Sequence, residues 1–590
     1  MKKYSKVMTI LIQAVLALAT TVALAQISHY GITGIELLLP CVFALCFIVY
    51  NKATAFLKRE HAKDIGIALG VGMIAAIAAV IGSHIDMEEH VFNSVGLMDV
   101  IYILFIIPLF MGVFLLLFFR SDACNRIKSE AGVEVVFSKK RFFIYCGVML
   151  LCWLPYYLTY YPGGVGNDDF ECVRMCLGAI PLTNHHPVFF TFILKFYITV
   201  ARLINPANYL TLAFGIMSGV QMLTLACTLS AVLMWMNKRM GRHWFVVISL
   251  AFFALHPIVA MYSIYVTKDV YFAEAVVFLI LFLMDFMKNS EGEKFSVKNM
   301  VILGVLSFLT IITRNNGTMM IAVLAVVMLL LCRHHWQYVL LTFGIVFALN
   351  GIYKGPVWKS LHIEKQSFAE AASIPLSQVA YTIQQNGVIS DEDLTYLEQL
   401  MPIERVKLEY EPGYTDSYKF SPYFDKQLLD ENPGDFMKVW LHMLPSNFGK
   451  YVEVYLMQTS GYWYYGMTNT VATEGVQPNE LGIEGTDLIE RICGMSVKGI
   501  LPRLVLVARK LPILCMFSQM AVMLLAILLC TITAVRYKDW SKLVVLSPLL
   551  ALWLSIMIAT PAYCLFRYMF PVFLLWPIMI DYIFAISDRK

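Results

Sequence analysis

Apolar stretches long enough to cross a lipid bilayer recur along almost the whole of this 590-residue chain. A transmembrane helix needs about 20 mostly apolar residues, and about fourteen stretches approach or exceed that length. Hydrophobic residues make up 59% of the chain and charged residues 15%, against roughly 45–50% and 25% in soluble domains. We therefore expect an all-α polytopic membrane protein with a bundle of about 14 transmembrane helices.

The distribution of Lys and Arg predicts the orientation, because short loops rich in these residues stay cytoplasmic. Basic loops such as MNKRMGRH and VRYKDWSK, and the C-terminal SDRK, fall on one side if every apolar stretch crosses once. This arrangement predicts a cytoplasmic C-terminus. It also requires the apolar residues 187–204 not to cross, so we expect an interfacial or re-entrant helix there.

The same map divides the chain into four parts. Residues 1–140 form N-terminal transmembrane helices, 141–352 a transmembrane core with an extracytoplasmic loop at 161–208, and 511–590 the C-terminal transmembrane helices. The polar residues 353–510 are predicted to form a small, mostly helical extracytoplasmic domain, in which Ser390 and Asp393 of SDEDLTYLEQLM fit a capping box. The formal net charge of +4 is too small to indicate nucleic acid as a partner.

Polar and ionisable residues from five places in the sequence fall near predicted span ends on the extracytoplasmic side. Such residues usually face a protein cavity or water, so we expect a shared polar cavity. A carboxylate there can accept a proton from an attacking hydroxyl, Arg and Lys can stabilise a phosphate oxygen, and His can donate to it or align an acceptor. These residues are Asp168, Asp169, His185, His186, Lys268, Asp269, Arg314, Asn315, Asn316 and Arg567.

Each of these short motifs also has a purely structural interpretation. NDDFECVRM resembles a loop entering a helix, HHP a helix start, TKD a helix cap, and RNNG a turn between two spans. Tyr462 and Trp463 in GYWYYG fit either an interfacial aromatic belt or a stacking platform for a sugar. Cys172 and Cys176 could join the two histidines in a metal site, although the spacing is not a standard zinc pattern.

Taken in order, YYPGGVGNDD, NHHPV, VTKDVYF, TRNNG and FRYMFP resemble motifs of a bacterial branch of the GT-C superfamily of membrane glycosyltransferases. Members of this superfamily use polyprenyl-phosphate-linked sugars as donors. The resemblance extends from about residue 155 to about residue 575. It departs from the better known members in one respect: four spans, instead of none, precede the span that leads into the acidic loop.

The resemblance implies a GT-C-like bundle in the bacterial plasma membrane, acting on its extracytoplasmic face. It implies an inverting transfer of a sugar from a polyprenyl-phosphate donor to a cell-envelope glycan, teichoic acid or lipid acceptor. Asp168 is the implied catalytic residue, with Asp169 as the alternative. The implied substrate-binding residues are His185, His186, Lys268, Asp269, Arg314, Asn315, Asn316, Tyr462, Trp463, Arg567 and Tyr568.

No cofactor and no nucleotide-sugar site are expected, and no metal ligand is assigned. As an alternative, Asp168, Asp169 and Asp269 could hold Mg²⁺ or Mn²⁺, which prefer oxygen ligands. Two other functions fit the same substrates. A transporter or flippase should place ionisable residues near mid-span and often shows inverted repeats, and the sequence displays neither feature. A polymerase or ligase of lipid-linked saccharides differs only in the group that is transferred.

Overall fold

A computed structural model describes residues 2–28, 39–58, 61–128, 138–240, 243–289, 295–467 and 469–584. Helices dominate this part of the chain, as the apolar composition predicts. Residues 129–137 and 290–294, which are parts of two loops used for the predicted orientation, and the C-terminal SDRK lie outside the described residues.

The first half of the chain consists of long apolar helices and one short hairpin of two strands. Ile85 pairs with Phe92 in this antiparallel hairpin. The elements are α1 (Lys2–Ile27), α2 (Leu39–Thr54), α3 (Ala62–Ser83), β1 (Ile85–Asp86), β2 (Val91–Phe92), α4 (Leu97–Lys128), α5 (Lys139–Thr159), α6 (Asn167–Leu177), α7 (Val188–Ile204), α8 (Tyr209–Met240), α9 (His243–Leu255), α10 (Pro257–Ile264), α11 (Lys268–Asn289), α12 (Val297–Thr313), α13 (Gly317–Leu331) and α14 (Trp336–Ile352).

The second half begins with shorter helices and returns to long apolar ones near the C-terminus. A π-helical turn (Tyr353–Val357) follows α14, and single 3-10 turns occupy Arg333–His335, Ser460–Tyr462 and Phe566–Met569. The α-helices are α15 (Trp358–Ser360), α16 (Phe368–Ala371), α17 (Ser373–Gln384), α18 (Asp391–Leu400), α19 (Ile403–Glu409), α20 (Thr415–Lys419), α21 (Lys426–Glu431), α22 (Pro433–Thr459), α23 (Leu488–Cys493), α24 (Leu501–Lys510), α25 (Pro512–Ser518), α26 (Met520–Arg536), α27 (Trp540–Ala559), α28 (Phe570–Leu574) and α29 (Trp576–Phe584).

Eight helices in the described part of the chain are long and apolar enough to cross a membrane. The count reaches ten if two bent pairs each form one span: α9 with α10 bends by 56°, and the hairpin around Arg567 bends by 58°. The other four predicted spans coincide with the shorter apolar helices α2, α12, α13 and α26. The chain is therefore an all-α, multi-pass membrane protein.

Residues 353–467 contribute most of a second hydrophobic core, separate from the core of the long helices. Leu376 and Val379 of α17 pack in this core with Leu397 of α18 and with Phe436 and Tyr451 of α22. The β1–β2 hairpin adds Ile85 and Phe92 to the same cluster. This segment is thus a mostly helical folded unit, as its polar sequence predicts.

Several local predictions are confirmed. α18 begins where Ser390 Oγ accepts a hydrogen bond from Asp393 N, at 3.2 Å, and the carboxylate of Asp393 accepts one from that hydroxyl. NDDFECVRM forms α6, HHP leads into α7, TKD begins α11 and RNNG is the turn between α12 and α13. The segment predicted not to cross forms the 17-residue helix α7, and whether it crosses stays a prediction.

One extended segment, residues 469–487, connects parts of the chain that are distant in sequence. Thr470 N donates to Cys564 O at 2.7 Å, in the loop that precedes Arg567. Further along, Val165 donates to Gly475 O at 3.2 Å, and Thr486 N donates to Tyr161 O at 2.7 Å. This segment therefore pairs both with the loop before α6 and with the last apolar hairpin.

Candidate functional site

Helix ends from distant parts of the sequence meet at one place in the bundle. α6 begins there beside Asp168, α11 begins at Lys268, and α12 ends next to Arg314. The 3-10 turn that carries Arg567 closes the group. Four of the five scattered motifs thus meet in one cluster, as the sequence predicts.

Asp168 lies between two cations. Its Oδ2 is 2.8 Å from Lys268 Nζ and 3.0 Å from Arg567 Nη1. Burial raises the pKa of Asp168, but Lys268 and Arg567 outweigh burial and hold this pKa well below its usual range. The side chain remains 35% exposed, so an ionised carboxylate faces an opening in the cluster.

Asp269 continues the charge network behind Asp168. It is fully buried and pairs with Arg314, and its Oδ2 is 3.7 Å from Arg567 Nε. Arg314 also lies over the ring of Tyr568, with 4.1 Å from its guanidinium carbon to the ring centre. The network contains three cations and two carboxylates, which leaves an excess of positive charge suited to a phosphate group.

Asp169 has a different environment from Asp168. Its Oδ2 accepts a hydrogen bond from Gly166 N at 2.9 Å, which caps α6. Burial and the neighbouring charge of Asp168 raise the pKa of Asp169 to about 8. The two adjacent carboxylates therefore differ: Asp168 is ionised and partly open, whereas Asp169 is protonated near neutral pH and enclosed.

The two histidines lie beside this network, next to Glu171. His186 Nδ1 is 2.8 Å from Lys268 Nζ, and its Nε2 is 3.3 Å from Glu171 Oε2. His185 Nε2 is 3.9 Å from the same carboxylate oxygen. Burial and Lys268 lower the pKa of His186 to about 4, so its ring is neutral.

The asparagines of RNNG hold the cluster to its surroundings. Asn315 Oδ1 accepts a hydrogen bond from Asn184 at 3.3 Å, and its amide donates to Gln366 at 3.2 Å. Asn316 donates to Ser555 Oγ of α27 at 2.8 Å. Asn315 therefore links the cluster to the segment after α15, whereas Asn316 faces α27.

The positions of the aromatic residues do not match a stacking platform for a sugar. Tyr462 is fully buried and donates to Ala562 O at 3.1 Å, so its ring has no free face for a sugar. Trp463 donates to Thr459 Oγ1 at 3.0 Å and packs against the second core. Tyr568 alone among the three aromatics predicted as substrate-binding contacts a cation of the cluster.

The observed contacts do not match either metal site considered from the sequence, which are the cysteine–histidine site and the three-aspartate site. Cys172 accepts from Thr191 Oγ1 at 3.7 Å and Cys176 donates to Thr191 O at 3.3 Å, so both thiols face α7 and not the histidines. Asp168 and Asp269 face cations and Asp169 faces a backbone amide. The group of three ligands brought together in the described residues is instead Glu171, His185 and His186, whose ligand atoms lie within 4.8 Å of one another.

A family model covers most of this architecture. It is described as a family of unknown function, DUF6020, and it matches residues 177–589. The chain belongs to DUF6020. The matched region includes the histidines, Lys268, Arg314 and Arg567, and it begins at the last residue of α6, after Asp168. No curated protein and no solved structure matches the chain.

Glu171 and Glu370 were not predicted as site residues. Glu171 lies three residues after Asp168, so both project from one face of α6, and this spacing could have identified it. Glu370 Oε1 is 3.6 Å from His185 Nδ1. No signal in the sequence identifies this second residue, because it comes from a separate folded unit.

Proposed function

We propose that the chain is an inverting glycosyltransferase that moves one sugar from a polyprenyl-phosphate donor to an acceptor hydroxyl. The acceptor is a cell-envelope glycan, a teichoic acid or a lipid. The observation that carries this proposal is the partly open carboxylate of Asp168 between Lys268 and Arg567. A proton acceptor and phosphate-binding cations then lie within reach of one substrate.

In the proposed reaction, the acceptor hydroxyl attacks the anomeric carbon of the donor sugar. A new bond forms between that carbon and the acceptor oxygen, the bond to the phosphate oxygen breaks, and Asp168 takes the hydroxyl proton. The leaving polyprenyl phosphate keeps the bonding electron pair. Its growing negative charge is stabilised by Arg567 and Lys268. Inversion requires the base and the phosphate on opposite faces of the anomeric carbon, so both cations turn from Asp168 to the phosphate when the donor binds, which also frees Asp168 to accept the proton.

The position of the remaining groups supports the same assignment. Asp269 holds Arg314 and Arg567 from behind, so both guanidinium groups are oriented before a substrate arrives. The cluster lies where helices end, and a lipid phosphate would be found at that depth. We propose that this is the extracytoplasmic face of a bacterial plasma membrane, with about 14 crossings, the 353–510 unit outside and the C-terminus in the cytoplasm.

The test uses the full-length protein in proteoliposomes with a panel of short-chain polyprenyl-phosphate monosaccharides and envelope glycans as acceptors. Release of polyprenyl phosphate is measured by mass spectrometry. D168N should lower the release by at least about 10²-fold, because a general base contributes 10²–10⁴-fold. D487N is the matched control, since Asp487 caps α23 with its carboxylate.

Three results would contradict the assignment. Full release by D168N in a folded protein would remove Asp168 as the proton acceptor, and loss in D169N alone would transfer that role to its neighbour. Donor consumption that requires no acceptor would indicate hydrolysis and not transfer.

A transporter or flippase of lipid-linked saccharides remains the second candidate because of one observation. Glu274 lies within α11, away from the cluster, and accepts a hydrogen bond from Thr224 of α8 at 2.9 Å. A half-buried carboxylate inside a candidate span is what a transport pathway would use. Substrate movement across vesicles without any chemical change would favour this alternative.

A further inference from the structure

We propose that Glu171, His185 and His186 form a binding site for a divalent transition metal ion, with Zn²⁺ as the best fit. The three residues come from α6 and from the turn before α7. This inference does not depend on the proposed reaction, because it follows from the ligand geometry and is tested by metal content.

The ligand spacing matches tetrahedral coordination. Zn²⁺ bonds of about 2.0–2.1 Å place neighbouring ligand atoms about 3.3 Å apart. Glu171 Oε2 and His186 Nε2 are 3.3 Å apart, and His185 Nε2 is 3.9 Å from the same oxygen. The third pair of ligand atoms, the two imidazole nitrogens, lies within 4.8 Å, so metal binding draws the two rings together to reach that spacing.

His186 provides the first independent indication of a ligand. The residue is 4% exposed, and its Nε2 is buried without a well-directed hydrogen bond to any residue that the structure describes. A buried nitrogen without such a bond is costly in free energy. His186 Nε2 lies 3.3 Å from Glu171 Oε2, and an ion bound to both atoms would satisfy this nitrogen.

His185 provides the second indication. While its Nε2 faces Glu171, its Nδ1 is 3.6 Å from Glu370 Oε1. Histidines that bind metals usually donate their other ring N–H to a carboxylate, which fixes the tautomer and leaves the first nitrogen free. Glu370 is itself held by Lys419 at 2.5 Å, so this outer carboxylate is well positioned.

The ligand types select the class of ion. Two imidazoles with one carboxylate suit zinc and its neighbours in the first transition row better than Mg²⁺ or Ca²⁺, which prefer oxygen ligands. Three protein ligands leave a fourth position for water or a substrate oxygen. Glu171 is 33% exposed, and His186 side chain only 5%, so the open position lies on the Glu171 side.

Lys268 couples this site to Asp168. Its Nζ is 2.8 Å from both His186 Nδ1 and Asp168 Oδ2. Metal binding at His186 Nε2 places the ring proton on Nδ1, which then cannot accept from Lys268. Metal occupancy therefore breaks the contact between Lys268 and His186 and leaves Asp168 as the partner of Lys268.

The experiment uses the full-length protein, purified without a histidine tag, loaded with Zn²⁺ and dialysed. Metal content is measured by mass spectrometry, and affinity is measured by competition with a chromophoric chelator. We expect one ion per chain, and background content in H185A and E171Q. The visible absorption of Co²⁺-loaded protein should show tetrahedral coordination that H185A loses.

Two further variants separate a metal site from a loss of folding. E370Q leaves all three ligands in place and should weaken affinity about 10–100-fold. K268M removes the competitor for His186 and should tighten binding. H442A is the matched control, because His442 pairs with Asp393 at 2.6 Å on an exposed surface, and it should not change zinc content.

Three results would overturn the proposal. They are wild-type protein without bound zinc after loading, zinc content unchanged in both H185A and E171Q, and binding lost equally in H442A. Glycosyl transfer is not measured in any of these experiments, so their failure leaves the proposed function untouched, and the failure of that function leaves the metal site untouched.

Discussion

The buried pair of Asp269 and Arg314 allows a prediction that does not depend on function. Asp269 is fully buried and Arg314 side chain is 9% exposed. Removing one partner of a buried ion pair usually costs about 3–5 kcal/mol, because the other charge is left without compensation. We therefore expect D269N to destabilise the protein by about that amount.

The geometry predicts an asymmetry between the two partners. In D269N, Arg567 keeps Asp168 at 3.0 Å, but Arg314 loses its only carboxylate partner within the described residues. In R314M, Asp269 keeps Arg567 Nε at 3.7 Å. R314M should therefore lower the free energy of unfolding less than D269N does.

The double variant R314M/D269N tests the cause. It leaves no stranded guanidinium, so its loss should be smaller than the sum of the two single losses by about 1–3 kcal/mol. Unfolding is measured with SDS in mixed micelles, followed by the fluorescence of the ten tryptophans. K438M, in an exposed pair with Asp435, is the control and should show no measurable change. Additive losses, or a larger loss in R314M than in D269N, would refute the reasoning.

Two further predictions concern the backbone. G317A should destabilise the protein by about 1–3 kcal/mol or more, because a methyl group on Gly317 would overlap Thr310 O. In thermal unfolding G147A, where nothing lies within 4 Å, should be neutral or stabilise by up to about 1 kcal/mol because Gly147 lies inside a helix, and equal behaviour of the two variants would contradict this account. N447A should cost about 1–3 kcal/mol, because the Asn447 amide group pairs with both the N–H and the C=O of Val388. Hydrogen exchange should rise at Val388, and unchanged exchange would refute the assignment.

The sequence predicts the helices well because their cause is local. Apolar stretches of span length coincide with helices, and the cap at Ser390 follows from a short-range pattern. The same locality explains α6, because Asp168 and Asp169 occupy the first turn of a helix that begins after Gly166.

The site could be predicted only in part. The orientation rule and the span count predict that Asp168, Lys268 and Arg567 share one membrane side, and these three residues do meet in the structure. The partners of these residues do not follow, because they depend on packing between distant segments. Glu370 reaches His185 from a separate folded unit, and no periodicity or motif encodes that contact.

Burial also separates residues that look equivalent in the sequence. Asp168 and Asp169 are adjacent, yet one faces two cations and the other faces the amide of Gly166. Tyr462 and Tyr568 both belong to aromatic motifs, but only Tyr568 lies under Arg314. Such differences arise from the direction in which each side chain points in the folded chain.

The extended segment 469–487 has a consequence for every experiment on the cluster. It is joined by main-chain hydrogen bonds to Cys564, three residues before Arg567, and to Val165, three residues before Asp168. The distance between Asp168 and Arg567 is therefore set by main-chain hydrogen bonds as well as by attraction between the two side chains. A substitution that neutralises one charge leaves these main-chain hydrogen bonds in place. A change in activity then reflects the loss of the substituted side chain and not a displacement of the neighbouring residues.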